Sequence, residues 1–476
     1  MDLRTLGADP DSFIEAVQIL RRPEVTPLLL VHRGDDADVA ARWMAALETD
    51  ELHTIGYTDR ESSGRIADSL EFWVRTTKGG EAVASRRCGF FDVYALLDEN
   101  ESTVGGLTQD ERWRTAALAS TALRLGIDAL VSTASTVGRS DVADNDLVAM
   151  IRPEELHAIF GHYLRMTGNL IVKHTREGMG TEIERAPSVA DLYHYGIDSY
   201  LPCLSLVQLT ARLQGDAAVV SEVHSVFTRL RRAARAVDEV LAALSRTNGQ
   251  GAPTVDTVEH VSEAFDRELL YLTAAFDTYG RLFRRLLDPG DNLRNGARSL
   301  HSKKLIDDYI EPNYPDHPAL DAVRALQPYA FTCATLRNRI HESVLPTGAY
   351  LTRSYGGAST VAIDLSEIDK LELDQDHVDR LGVWMSTPPN ALLAPSRPVS
   401  DMATTAIGLL TAGLEYIDAF SRLILCTPPA AAPRANGLLG AAPATPEEQI
   451  PRSPEEQFYR DFFGWDSAFR ISGTDE

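Results

Sequence analysis

A helical spacing of apolar side chains, repeated in four long runs, is the feature that most constrains how this chain can fold. Between about residues 200 and 430, apolar side chains recur every three or four positions in four long runs, a spacing that places them on one face of an α-helix. Asn-Gly ends the first run, Pro-Gly ends the second, and Ser400 or Asp401 is placed to cap the fourth. The sequence therefore predicts an all-α helical bundle over residues 201–427.

Two short apolar runs lie between the third and fourth predicted helices. They cover residues 349–352 and 360–363, and Gly356-Gly357 lies between them. A Gly-Gly pair that separates two strand-like runs is typical of a β-hairpin. We therefore expect one small hairpin within the helical bundle.

Residues 1–170 show a different pattern, in which strand-like and helix-like segments alternate. Residues 127–131 form one of the strand-like runs, and helices are expected over residues 62–76 and 108–125. Strands separated by helices are typical of a mostly parallel sheet covered on both faces. The N-terminal part is therefore predicted to be an α/β domain, joined to the bundle by a connector over residues 171–200.

The C-terminal residues resemble neither domain. Residues 428–454 hold seven prolines among alanines and glycines, a composition that predicts a disordered linker. Residues 455–476 form a short acidic tail that is rich in aromatic side chains over Phe458–Phe469. Because so many aromatic side chains are unfavourable in water, we expect the tail to dock either on the chain itself or in the groove of a protein partner.

Cysteine spacing and the longest apolar stretch indicate the cellular compartment of the protein. The four cysteines are scattered singly in apolar surroundings with no Cys-x-x-Cys pair, which is typical of buried thiols in a reducing compartment. Residues 403–414 are the most apolar stretch, and this is well short of the ~20 residues that cross a bilayer. The N-terminus is polar from Asp2 onward. We expect a cytoplasmic protein with no membrane segment.

The chain carries 69 acidic and 46 basic residues, a formal net charge of −23. Such a body repels phosphate polyanions unless it carries a local basic surface. Two of the predicted helices are rich in arginine, and their side chains are candidate RNA-binding groups if they converge: Arg229, Arg232, Arg281 and Arg285. The alternative is that these arginines pair with nearby acids such as Asp238, Glu239 and Asp288.

Arg337 and His341 lie one helical turn apart in the third run. Side chains at positions i and i+4 share a helix face, so both could contact one phosphate. A guanidinium stabilises negative charge that develops on phosphorus, and an imidazole transfers protons near neutral pH. Those two groups suffice to cut RNA at its own 2′-hydroxyl. The alternative is that both side chains only pack and hydrogen-bond between helices.

The run from Thr335 to Glu342, which also contains Asn338, resembles the HEPN superfamily (higher eukaryotes and prokaryotes nucleotide-binding). Its members are small up-and-down helical bundles, many with an Arg-Asn…His signature on a late helix. The resemblance implies a homodimer that cuts RNA without metal, with Arg337, Asn338 and His341 in the catalytic positions, and a role in stress or phage defence. Three residues separate the arginine from the histidine here, fewer than nuclease members usually have.

The N-terminal domain is similar to PIN-like nucleases over residues 110–113, 126–133 and 151–156. Active PIN domains use acids at strand ends to bind one or two Mg²⁺ or Mn²⁺ ions. The matching positions are Asp35, Asp110 and Asp128. Because Ala134 and Ser135 occupy the place of a further acid, the resemblance implies a degenerate centre, with Mg²⁺ or Mn²⁺ as a cofactor only if that centre is active.

These observations lead to two functional hypotheses. The first is a metal-independent endoribonuclease centred on Arg337 and His341. The second is a catalytically inactive interaction protein with PIN-like and HEPN-like folds, whose aromatic tail recruits a protein partner. The arginine-rich helices favour the first, while the net charge and the short Arg–His separation favour the second.

Overall fold

A computed structural model describes most of the helical and strand segments of the chain. The described residues are 1–22, 25–57, 71–89, 114, 117–118, 120–122, 124–134, 149–168, 172–175, 182–185, 188–245, 253–287, 299–351, 359–368, 371, 375–386, 395–426 and 454–466. They are mostly helical, with one sheet near the N-terminus and a second within the helical region. None of the helices in this part of the chain is long and apolar enough to span a bilayer.

The N-terminal sheet is mixed. Its strands, in spatial order, are β1 (Leu29–His32), β2 (Glu51–Tyr57), β3 (Glu71–Lys78) and β4 (Glu81–Gly89). Strands β1 and β2 are parallel, whereas β2, β3 and β4 are antiparallel neighbours. Helices α1 (Leu3–Leu6), α2 (Ile14–Leu20) and α3 (Ala37–Ala46) contribute to the core beside it, and Trp43 of α3 is fully buried there.

A second parallel pair extends this layer. Strands β5 (Ala129–Val131) and β6 (Ala149–Ile151) lie where strands were predicted, and they are parallel. Asp2 connects them to β1, because its amide donates to the carbonyl of Val131 at 2.9 Å and its backbone forms a parallel bridge with Leu30. The prediction of a mostly parallel sheet is therefore correct for β1, β2, β5 and β6 and wrong for β3 and β4.

The helix predicted over residues 62–76 is wrong where the structure describes it. Residues from Glu71 onward form β3, in which Phe72 and Val74 are buried and Arg75 is exposed, the two-residue alternation of a strand. Gly79 and Gly80 have φ of 58° and 83° and form the tight turn into β4, a conformation that favours glycine. Residues 58–70 lie outside the described part.

The helix predicted over residues 108–125 is confirmed at its C-terminal end. The described positions from Arg114 to Leu125 are helical, and Gly126 ends the helix with φ of 66°, as expected for a residue that follows a helix. The start of this helix, with its predicted cap at Thr108, is outside the described residues.

Helix α4 (Leu156–Thr167) joins two hydrophobic cores. Its Leu156 packs in the N-terminal core and its Leu164 packs in the core of the helical region. It is followed by an antiparallel strand pair, β7 (Val172–Thr175) and β8 (Glu182–Arg185), and by α5 (Val189–Asp198). The domain boundaries at residues 170 and 200 stay predictions.

The helical region confirms the predicted periodicity. Its helices are α6 (Pro202–Gln214), α7 (Ala217–Ser245), α8 (Val255–Leu287), α9 (Lys303–Leu305), α10 (Glu311–Asn313), α11 (Leu320–Glu342), α12 (Gln375–Arg380) and α13 (Met402–Cys426). Tyr279 of α8 and Ser421 of α13 share a buried hydrogen bond of 2.8 Å. Asp401 caps α13, since its Oδ2 accepts from the amide of Thr404 at 2.8 Å, which decides between the two predicted caps.

The sheet inside the helical region is larger than the predicted hairpin. Strands β9 (Thr347–Leu351) and β10 (Ser359–Asp364) are antiparallel neighbours as expected, but β11 (Val383–Ser386) and β12 (Arg397–Asp401) complete a four-stranded sheet in the order β11-β12-β10-β9. The buried carboxylate of Asp364 on β10 accepts from Arg397 on β12 at 2.9 Å. An Arg-Pro start hides β12 in the sequence, because proline is uncommon in paired strands. The turn with Gly356-Gly357 lies outside the described residues.

The aromatic tail docks on the chain itself. Helix α14 (Pro454–Phe463) packs against α4 and α5, and Phe463 and Trp465 are fully buried. A Cβ atom at Gly161 of α4 would collide with the carbonyl oxygen of Phe462, and one at Gly196 of α5 would collide with the Phe463 ring. These two glycines therefore create the space that the tail fills.

A buried ion pair holds the tail. The Arg165 side chain is completely buried, and its Nε donates to Asp238 on α7 at 2.6 Å. Its Nη1 donates to the carbonyl of Phe462 at 2.9 Å, and its guanidinium lies 4.0 Å from the centre of the Phe463 ring. Of the two docking modes predicted for the tail, the structure shows the intramolecular one over residues 454–466. The remainder of Phe458–Phe469 and the linker residues 428–453 are outside the described part.

Replacement of Trp465 tests this docking. Trp465→Ala removes a buried indole and should weaken docking of α14 by about 3–5 kcal/mol, so that hydrogen exchange of the α14 amides accelerates strongly. Phe458→Ala is the matched control, because that ring is 46% exposed and its loss should leave the exchange rates nearly unchanged. Equal exchange in both variants would contradict the buried arrangement.

One acid in the bundle core has no counter-charge. Glu268 on α8 is fully buried, and neither carboxylate oxygen has a hydrogen-bond partner within the described part of the chain. Burial raises the pKa of Glu268 well above its ordinary value of 4.5. Burial also raises the pKa of the neighbouring Cys333 thiol, and the Glu268 charge adds to that effect. The core is therefore most stable when Glu268 is protonated.

Glu268→Gln should make the protein's stability fall less as pH rises. Because the folded-state pKa of Glu268 is raised, its protonated form contributes stability below the unfolded value near 4.5, and that contribution is lost as pH rises toward the folded pKa. Urea unfolding should show similar stability for both proteins at about pH 4 and a more stable variant at about pH 8. A stability difference that does not vary with pH would contradict the assignment.

Candidate functional site

The three predicted catalytic residues lie in the last turns of α11. His341 and Asn338 are exposed, and Arg337 is half-buried. Arg337 Nη1 donates to Asn338 Oδ1 at 3.1 Å, while its Nε is buried and has no hydrogen-bond partner in the described part of the chain. No described carboxylate forms an ion pair with this guanidinium. Among the described residues, no acid therefore neutralises Arg337 at this helix end, and the His341 imidazole lies one turn away.

A second imidazole lies within electrostatic range of Arg337. His301, just before α9, is half-buried; its Nδ1 shares a hydrogen bond of 2.6 Å with Ser299 Oγ, and its carbonyl accepts from Gln327 of α11 at 2.8 Å. Burial lowers the pKa of His301, Asp277 acts to raise it, and Arg337 lowers it further. No sequence pattern indicated His301, because its position in the chain does not show that it lies next to α11.

The four predicted RNA-binding arginines lie along one side of the α7–α8 pair. These helices are antiparallel, as ion pairs at their opposite ends show: Arg285 with Glu222 at 2.8 Å and Arg267 with Glu239 at 2.6 Å. We call the line of side chains between these ion pairs the arginine seam. Its members are Arg229, Arg232, Arg281 and Arg285 from the predicted set, with Tyr271 and Thr278.

Two guanidinium groups of the arginine seam meet at one hydroxyl. Arg229 Nε and Arg281 Nη2 each donate to Thr278 Oγ1 at 3.1 Å, and the buried Thr278 hydroxyl donates to the carbonyl of Ala274 at 2.8 Å. Arg232 lies over the ring of Tyr271, with 5.7 Å from the guanidinium carbon to the ring centre. The structure therefore brings Arg229 and Arg281 together at Thr278, a residue that no sequence pattern indicated.

The predicted alternative, neutralisation by neighbouring acids, holds for only part of the arginine seam. Asp238 is sealed in the interior with Arg165, and Glu239 pairs with Arg235 and Arg267. Within the described residues, Arg285 has a carboxylate partner, whereas Arg229, Arg232 and Arg281 have none. Asp288 is outside the described part.

Helix α8 connects the arginine seam to the end of α11. Asp277 precedes Thr278 and lies four residues before Arg281, so Asp277 and Arg281 share an exposed helix face. Asp277 is also the acid that raises the pKa of His301, which Arg337 lowers. Asp277 therefore lies beside Arg281 on α8 and within electrostatic range of His301.

Two of the three predicted metal ligands, Asp35 and Asp128, lie in the described residues. Asp35 follows β1, where its carboxylate accepts from the amide of His32 at 2.8 Å and lies 3.7 Å from Arg114. Asp128 is exposed and precedes β5. Asp35 thus follows the C-terminal end of β1, whereas Asp128 precedes the N-terminal end of β5. Asp110 is outside the described residues, among which no group of three or more His, Cys, Asp or Glu side chains is placed to hold a metal.

Other polar groups occupy the carboxyl ends of β1 and β5. Asp2 accepts from Ser132 Oγ at 2.9 Å and from Thr5 Oγ1 at 3.1 Å, and burial raises its pKa despite these bonds. Burial, followed by the charges of Arg114 and Arg4, lowers the pKa of the buried His32 to about 3. Arg114 lies close to Asp35, and a guanidinium disfavours a divalent cation beside it. The PIN-like centre, which the resemblance implies to be degenerate, stays a prediction.

Comparison with known proteins identifies no relative. A scan against protein-family models finds no match, and searches of curated proteins and of solved structures find none either. The HEPN-like and PIN-like resemblances therefore rest on the residues that suggested them.

The pKa of His301 can test the proximity of Arg337. Arg337→Gln should raise this pKa, because it removes a cation that disfavours the imidazolium. Arg339→Gln, which removes a charge two residues away, is the matched control and should leave the value unchanged. NMR titration of the imidazole protons measures both, and an identical His301 pKa in the two variants would contradict the described arrangement.

Proposed function

We propose that this protein is a metal-independent endoribonuclease of HEPN type, with Arg337 and His341 as its catalytic residues and the arginine seam as its RNA-binding surface. The observation that carries the proposal is the accessible pair at the end of α11, where an exposed imidazole shares a helix face with a guanidinium that no described carboxylate pairs with.

The reaction that fits these groups is transesterification within RNA. His341 accepts the proton of a ribose 2′-hydroxyl, whose oxygen then forms a bond to the adjacent phosphorus. The bond from phosphorus to the 5′-oxygen breaks, and that oxygen takes a proton from water. The products are a 2′,3′-cyclic phosphate and a free 5′-hydroxyl. Arg337 stabilises the negative charge that develops on the phosphoryl oxygens.

One observation favours the alternative hypothesis, an interaction protein that does not cleave RNA. Asn338 accepts a hydrogen bond from Arg337 Nη1, so one of the two terminal nitrogens of the guanidinium is occupied. Under this alternative the arginine seam still serves as a binding surface, and Arg337 has only a structural role. Self-docking of the aromatic tail leaves Phe458 as an exposed ring for a protein partner.

Cleavage of labelled RNA in the presence of EDTA tests the proposal. We expect EDTA-resistant cleavage that leaves cyclic phosphate ends, and a loss of about 10²–10⁴-fold in rate for His341→Ala. Arg337→Gln should lose activity as well, because it removes the charge that stabilises the transition state.

Two matched controls accompany these variants. His260→Ala removes another exposed helical histidine, and Arg339→Gln removes a neighbouring arginine, so neither should reduce the rate. Cleavage that EDTA abolishes, or that His341→Ala retains, would refute the proposed site. RNA binding without any cleavage would support the interaction protein instead.

A further inference from the structure

We infer that the arginine seam is a site for single-stranded RNA, in which one backbone phosphate binds between Arg229 and Arg281 and an unpaired base stacks at Arg232 and Tyr271. This inference rests on the proposed function for its ligand class. It specifies where the RNA is held and in which form, and neither follows from the chemistry at the end of α11.

The first argument is the unbalanced charge at Thr278. Both guanidinium groups donate to the same hydroxyl, so the two donating nitrogens are no more than about 6 Å apart, twice a hydrogen-bond length. Two like charges this close repel each other, and in the described part of the chain no carboxylate pairs with either. An anion between them removes this repulsion.

The second argument is the number of donors that remain. A hydroxyl has one donor and two acceptor positions, and the Thr278 hydroxyl uses all three, toward Ala274, Arg229 and Arg281. Each guanidinium has five N–H donors, of which the contacts to Thr278 use one. The remaining donors of the exposed Arg281 and the half-buried Arg229 suit the oxygens of a phosphate, which guanidinium groups bind with paired hydrogen bonds.

The third argument selects the form of the RNA. The guanidinium of Arg232 covers the partly exposed ring of Tyr271, and planar guanidinium and aromatic groups are surfaces on which unpaired bases stack. Arg232 follows Arg229 by three residues on α7, which places it about 4.5 Å further along the helix axis. Bases inside a duplex are already stacked and cannot use such a surface.

The fourth argument is the short length of the basic surface. Glu222 and Glu239 lie at its two ends, and the whole chain has a net charge of −23. A long duplex would extend beyond the basic surface onto negatively charged parts of the protein and be repelled, whereas a segment of a few nucleotides would not. The arrangement therefore favours a short single strand.

Fluorescence anisotropy with the full-length His341→Ala protein tests the inference without cleavage. The probe is a labelled single-stranded RNA of about ten nucleotides, compared with the same strand in a duplex. We expect tighter binding of the single strand. Arg229→Gln with Arg281→Gln should weaken it at least tenfold and reduce the slope of log affinity against log salt by about one. Tyr271→Leu, which keeps an apolar side chain, should weaken it about tenfold.

Arg267→Gln is the matched control, because this arginine lies outside the arginine seam and Glu239 already neutralises it, and its effect should be under threefold. If the double glutamine variant does not fold, the corresponding double lysine variant keeps both charges but loses the paired hydrogen bonds, and weaker binding by that variant supports the inference. Unchanged binding by the double variants, or equal affinity for the duplex, overturns it. The double variant could lose RNA binding while Arg337 and His341 prove unnecessary for any cleavage. That result would support the arginine seam as an RNA site and refute the proposed catalytic residues.

Discussion

Antiparallel packing of α7 against α8 is the interaction on which the rest of the helical region depends. The apolar sides of the two helices bury large side chains: Phe227 on α7 contacts His194 on α5, and Phe276 and Phe283 on α8 contact α13. Burial of each such ring contributes about 1.5–3 kcal/mol, far more than any exposed ion pair between the same helices. The apolar sides thus fix the register, and the register determines which arginines meet outside.

The sequence allowed the helical region to be predicted well, because long amphipathic helices repeat the same spacing many times. Short strands gave no comparable signal. The segment from Glu71 carries two signals. Leu70 and Trp73 fit the spacing of a helix, whereas the alternation of Phe72 and Val74 and the Gly79-Gly80 turn indicate a strand. The strand β12 could not have been recognised from its Arg-Pro start, since it is stabilised by Asp364 on another strand.

For the candidate site, the residues themselves were easier to predict from the sequence than the contacts that they make. Charge density on two helices pointed to Arg229 and Arg281, but their meeting at Thr278 depends on the helix register, which no local pattern reveals. The same limit applies to Asp35 and Asp128. Each acid lies next to a strand, one after β1 and the other before β5, and no local pattern reveals the order of these strands in the fold. His301 carried no signal at all.

The docked tail also has a consequence for how this chain is made. Arg165 donates to the carbonyl of a residue 297 positions later in the chain, so during synthesis on a ribosome the α4–α5 surface emerges long before the segment that covers it. Until α14 leaves the exit tunnel, Gly161 and Gly196 line an uncovered apolar surface, which is the kind of surface that chaperones bind in nascent chains. Completion of this core therefore waits until α14 has been synthesised.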